Sequence, residues 1–141
     1  MKCKFSSILF RILLVAYIGA VAYLCFARPD KLPDVQRSFF NIPADKLAHF
    51  AMFFPLPIIA FFAYDRKTSG AWISLATVIS VCAFSAIIAG ITEIIQGALP
   101  YRSEDINDFG ADCLAICISG VIVFFTDLIR HRFKQNNRKK R

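Results

Sequence analysis

The chain has 141 residues, of which 57% are hydrophobic, a mean hydropathy of +0.53 and a formal charge of +7 at pH 7. That length holds one domain, and a hydrophobic share this large, gathered in long blocks, exceeds what an ordinary soluble domain carries. The charge does not call for nucleic acid: seven of the seventeen basic residues lie between Arg130 and Arg141, straight after an apolar block, where they serve as an orientation signal and contact anionic headgroups.

The first block, residues 8–27, follows Lys2 and Lys4 and contains Arg11. Ala20-Val21-Ala22 resembles a signal-peptide cleavage site, yet the apolar run continues through Tyr23, Leu24, Cys25 and Phe26, longer than a signal core. Tyr23 and Leu24 also stand where a lipobox wants small residues, so the block is expected to remain as a first span. A connection with Pro29, Pro33 and Pro43 follows, and its Phe39 and Phe40 suit a loop resting at the headgroup boundary. The second block, 46–64, is one span long, and Pro55 and Pro57 predict a kink in it. After a short turn over 65–70, the third block, 71–99, gives about 43 Å of helix at ~1.5 Å per residue. That exceeds a hydrocarbon core of roughly 30 Å, so this helix must tilt or protrude. Pro100 ends it, and a polar loop leads into the fourth block, 107–129, and the basic tail, 130–141.

The expected fold is therefore all-α, a single integral membrane bundle of four transmembrane helices. Its orientation follows from Lys and Arg: twelve lie at the N-terminus, the 65–70 turn and the tail, against five in the other two connections. This predicts N-in/C-in, a multi-pass protein with both termini cytoplasmic. Membrane lipids are the expected partners, and no nucleic acid is expected. The five cysteines, Cys3, Cys25, Cys82, Cys113 and Cys117, are odd in number and lack CxxC spacing, so they suggest neither a disulfide framework nor a zinc site.

Ionisable groups at membrane depth are costly and mark candidate sites. Here they collect at one level. Asp45 and His49 share a face at the start of the second helix, next to Lys46, while Glu93 lies near the far end of the third, with Gln96 three residues on. On the fourth helix Asp105, Asp108, Asp112 and Ser119 fall within an arc of roughly 60° at ~100° per residue. Ala86, Ala89, Gly90 and Gly97 surround the Glu93 face, and small residues mark close helix approach, so Glu93 is expected to face the bundle. Arg102 or Lys46 is expected to neutralise part of this acid cluster. Structural roles compete with functional ones: Asp45 and Asp105 suit helix N-caps, Asp108 an N3 position, and the whole set a polar clasp between helices. A His with three carboxylates can hold a divalent ion, but the spacing matches no standard metal motif, so no metal site and no cofactor is assigned from the sequence.

Asp45-Lys46-x-x-His49-Phe50, Glu93-x-x-Gln96 and Arg102-x-x-Asp105-x-x-Asp108, in that order, resemble the VanZ-like family, named for a teicoplanin-resistance protein. The resemblance covers about residues 40–126. Asp112 stands where the family pattern usually has Asn, which keeps size and polarity and adds a charge. The resemblance implies a bacterial cytoplasmic-membrane protein with its site facing the cell envelope, formed by Asp45, Lys46, His49, Glu93, Gln96, Arg102, Asp105, Asp108 and Asp112. Three readings of that site stand. It binds a lipid headgroup or an amphiphilic envelope compound and lowers glycopeptide susceptibility; it is a small membrane enzyme on a lipid-linked substrate, with His49, Glu93 and Asp108 as candidate catalytic groups; or it is a proton or cation path in an oligomer. No nucleophile sits beside His49 in a recognisable motif, so covalent catalysis is not indicated.

Overall fold

A computed structural model of the protein describes residues 2–28, 38–39, 42–64, 70–102 and 105–139. The expectations for Pro29, Pro33, Phe40 and the 65–69 part of the turn lie outside the described residues.

The four apolar blocks become four helices long and apolar enough to cross a membrane. The first is α1, Lys2–Phe26, and the third is α4, Ala71–Gly97. The second is broken, as its prolines demand. Helix α2, Ala44–Phe53, and helix α3, Pro55–Ala63, meet at Phe54, whose own N–H still bonds the Phe50 carbonyl. Pro55 and Pro57 have no N–H to offer the carbonyls one turn back, which is what interrupts the ladder. Together α2 and α3 make one 20-residue span.

The fourth helix departs from expectation in its length. Helix α5 runs Ile106–Lys139, ten residues past the boundary at 129, so most of the basic tail continues the helix rather than leaving it. Beyond Gly120 the sequence contains no Pro or Gly, and Lys, Arg and Gln are good helix formers, so nothing local stops it. The connection between α1 and α2 also differs from a plain loop. Strand β1, Ser38–Phe39, pairs antiparallel with β2, Ile42–Pro43, two residues a side, too short for alternation to be read in advance.

Helix α5 packs against α4 and α2, α1 packs against α3, and α3 touches both α4 and α5. The core cluster draws Val21 and Cys25 from α1, Phe53 from α2, Leu56 from α3, Ala89 from α4, and Ala115 and Ile116 from α5. Around it, polarity is inverted relative to a soluble domain. Trp72, Ile106, Ile94 and Val15 are 83%, 79%, 72% and 71% exposed, whereas Ser85, Asp112 and Ser119 are wholly buried. Such a surface is stable against lipid and not against water, where those side chains would be driven inward. The buried hydroxyls of Thr77, Ser85 and Thr92 satisfy themselves by donating to carbonyls of their own helix, those of Ile73, Val81 and Ala89.

Candidate functional site

The cluster forms at the end of the bundle where α1 and α4 finish and α2 and α5 begin. On α2, Lys46 and His49 are three residues apart, on one side of the helix. The Lys46 ammonium donates to Asp105 Oδ2 at 2.8 Å and to Asp108 Oδ1 at 3.0 Å, tying α2 to the start of α5. His49, which is 6% exposed, lies one turn deeper between three carboxylates. Its Nδ1 is 3.2 Å from Asp112 Oδ1 and 3.7 Å from Glu93 Oε1, and its Nε2 is 3.9 Å from Asp108 Oδ2. Only the first distance is a hydrogen bond; the other two are ion-pair separations that leave room for more.

Asp105 is the N-cap of α5. Its Oδ1 accepts from the Asn107 backbone N–H at 2.9 Å, and its carbonyl accepts from Asp108 N–H. The Lys46 ammonium, then the Asn107 N–H, hold its carboxyl well below the usual range, at about 2. Glu93, near the end of α4, faces inward as the small residues around it predict. Phe109 of α5 comes within 3.8 Å of where a Cβ on Gly90 would stand. Glu93 Oε2 accepts a long bond of 3.4 Å from Asp105 N–H, while Oε1 is buried with no hydrogen-bond partner. The inward arc on α5 also holds: Asp108 is 9% exposed and Asp112 and Ser119 are at 0%. Gly97, by contrast, is exposed and takes no part in the Glu93 face.

Two of the residues expected at this site do something else. Arg102 is turned away from the carboxylates and donates to the Leu24 and Ala27 carbonyls at the end of α1, at 3.3 and 2.9 Å. Gln96 Nε2 donates to the Cys25 carbonyl at 3.0 Å. A third residue, just after Pro100, completes this set: the Tyr101 hydroxyl donates to the Phe26 carbonyl. The last carbonyls of a helix have no partner within it and carry its negative end, so a guanidinium and two neutral donors satisfy them. Lys46, not Arg102, therefore supplies the positive charge among the acids. Asp45 is exposed in the first turn of α2 and joins neither group; the N-cap position is Pro43, so the capping role expected for Asp45 is not the one it has. Asp127, about two thirds of the way along α5, is buried as well, and an acid inside an apolar run is the sequence signal that marks it.

Among the described residues, four carboxylates thus face one ammonium and one imidazole. His49, Glu93 and Asp112 each offer one donor atom, and these three atoms lie within 4.8 Å of one another. Pattern matching along the chain misses such a set because each donor comes from a different helix. No protein-family model, curated protein or solved structure matches this chain.

Proposed function

We propose that this is a bacterial cytoplasmic-membrane protein of the VanZ-like kind, with both termini inside and the acid cluster facing the cell envelope. There it binds the headgroup of a lipid or of an amphiphilic envelope compound and so lowers susceptibility to glycopeptides such as teicoplanin. One observation carries the reading. Lys46, His49, Glu93, Asp105, Asp108 and Asp112 converge from α2, α4, α5 and the residue before α5 on one point at the polar end of the bundle. A clasp whose sole task is to hold helices together would match donors to acceptors, because an unpaired buried oxygen costs about 1–3 kcal/mol. Here acceptors are in surplus and Glu93 Oε1 is unmatched. Lys46 and Asp105, with side chains 25% and 37% exposed, form the open edge through which a headgroup reaches the buried groups.

The test is a pair of substitutions at one position. Glu93→Gln keeps shape and hydrogen-bonding capacity and removes the charge. It is expected to leave the protein inserted and monodisperse, to abolish retention of a co-purifying headgroup in native mass spectrometry, and to remove any protection of cells against glycopeptide. If Glu93→Gln behaves as wild type while Glu93→Leu misassembles, the cluster is a clasp and the binding reading fails.

A second reading has its own observation. Both ring nitrogens of His49 face carboxylates, Asp108 on one side and Glu93 with Asp112 on the other, an arrangement suited to passing a proton. Turnover of a lipid-linked substrate by purified protein, lost in His49→Ala, would move the assignment from binding to catalysis.

A further inference from the structure

We infer that His49 Nδ1, Glu93 Oε1 and one Asp112 carboxylate oxygen bind a single divalent transition-metal ion, zinc or manganese. The inference deepens the reading of the same cluster and rests on it only for location. Its first support is donor geometry. Ligand atoms about 2.1 Å from a shared ion stand roughly 3.0–3.4 Å apart. The Nδ1 to Asp112 distance is 3.2 Å, the Nδ1 to Glu93 distance is 3.7 Å, and all three atoms lie within 4.8 Å of one another, so small side-chain rotations close the set. Three protein donors leave coordination positions free, as in sites where the ion also takes a water or a ligand oxygen.

The second support is independent of the clustering. Glu93 is 8% exposed, and its Oε1 is buried, aimed at the imidazole and without a hydrogen-bond partner. Asp112 is fully buried, with His49 as its hydrogen-bonding partner. Among the described residues the one ammonium at the site already pairs with Asp105 and Asp108, and a divalent ion would supply the positive charge that lets both buried carboxylates stay ionised.

The third support lies behind the histidine. A metal-bound imidazole usually donates its other N–H to a carboxylate, which fixes its tautomer and orientation. Asp108 is the carboxylate on that side, at an ion-pair separation of 3.9 Å from Nε2 rather than in a hydrogen bond, and is itself anchored by Lys46 at 3.0 Å. An imidazole with two carboxylates and no thiolate selects borderline ions over magnesium or calcium, which prefer all-oxygen shells.

The experiment uses untagged full-length protein in detergent, stripped with chelator, dialysed against Zn2+ or Mn2+ and then freed of excess ion. Metal is counted by mass spectrometry, and extracted lipid is counted in the same sample. About one equivalent of metal in wild type and in Asp45→Asn, with a loss of at least ~5-fold in Glu93→Gln and Asp112→Asn, is the expected result. Equal metal in wild type and these two variants, or less than ~0.2 equivalents in wild type, overturns the inference. So does loss of the ion on replacing Cys82 and Cys117 by alanine, which would move it to the thiols. If Glu93→Gln and Asp112→Asn aggregate, the wild type decides alone. One Mn2+ per chain, invisible in the room-temperature spin-resonance spectrum and released by Zn2+, supports the site; an undiminished free-ion spectrum overturns it. Headgroup retained without metal would sink this inference and spare the headgroup reading, and metal without headgroup would do the reverse.

Discussion

Asp105 divides one carboxylate between two tasks: Oδ1 caps α5 and Oδ2 accepts from Lys46. Its folded-state value of about 2 lies below the ordinary 3.8, so the contribution of this contact to stability is fully present above the ordinary value. It is lost as pH falls through about 2, where the carboxyl protonates even in the folded protein. The difference in melting temperature between wild type and Asp105→Asn in micelles should therefore be flat above about pH 5 and shrink steadily below about pH 4. A difference that grows on acidification would show that Lys46 and Asp105 are not paired in the folded state. Arg102 yields the second expectation at this scale. Because it satisfies α1 carbonyls and not the acids, Arg102→Ala should weaken the bundle by about 1–2 kcal/mol and leave headgroup retention untouched. Loss of retention with unchanged stability would return Arg102 to the binding site.

Between elements, α4 and α5 come close at Gly120. A Cβ at Gly120 would stand 2.6 Å from Cys82 Sγ and 3.6 Å from Val78 Cγ1, so this crossing depends on a missing side chain. Lipid tails give helices no hydrophobic reason to associate, which leaves close packing and interhelical hydrogen bonds to hold them. Gly120→Ala should lower stability by about 1–3 kcal/mol, as overpacking does. Adding Cys82→Ala should restore most of it, since the obstructing sulfur is then gone; thermal unfolding of the two variants and the double variant makes that comparison. The same pair positions the site, because α4 carries Glu93 and α5 carries Asp108 and Asp112. Two further helix ends take borrowed donors: the Met52 carbonyl, one of the last four of α2, accepts from the Tyr17 hydroxyl, and the Ala63 carbonyl ending α3 accepts from Ser7 and Arg11.

For the whole molecule, the proposed orientation predicts which faces an impermeant reagent can reach. In a cysteine-free background of intact cells, a cysteine introduced at Ser103 should label from outside and one at Ser69 should not. The opposite pattern would turn the molecule over and put the acid cluster in the cytoplasm. The end of α5 offers a separate test. Although the helix continues to Lys139, no residue from Lys134 onward is apolar, and Arg130, ahead of that stretch, has its guanidinium 5.0 Å from the Phe62 ring centroid. A chain cut after Phe133 should keep that contact and form a bundle with wild-type thermal stability. Aggregation of the shortened protein would show that the last turns of α5 are structural.

The sequence by itself determined the class of solvent, the four spans, the break at Pro55, the capping of α5 by Asp105 and the inward faces of Glu93, Asp108 and Asp112. Each of these is written in runs of apolar residues, in backbone groups that proline lacks, or in helical spacing along one segment. Only the tertiary structure decided how the polar residues divide. Gln96 and Arg102 stand beside the acids in the sequence pattern, yet they serve the end of α1, donating to the Cys25 and Ala27 carbonyls at 3.0 and 2.9 Å. Lys46 and His49 are neighbours on α2, yet one closes the salt bridges at the rim and the other sits among buried oxygens. Pairing across helices depends on which ends meet and how closely they cross, and that is set by packing at places such as Gly120, about two turns beyond Asp112 on α5.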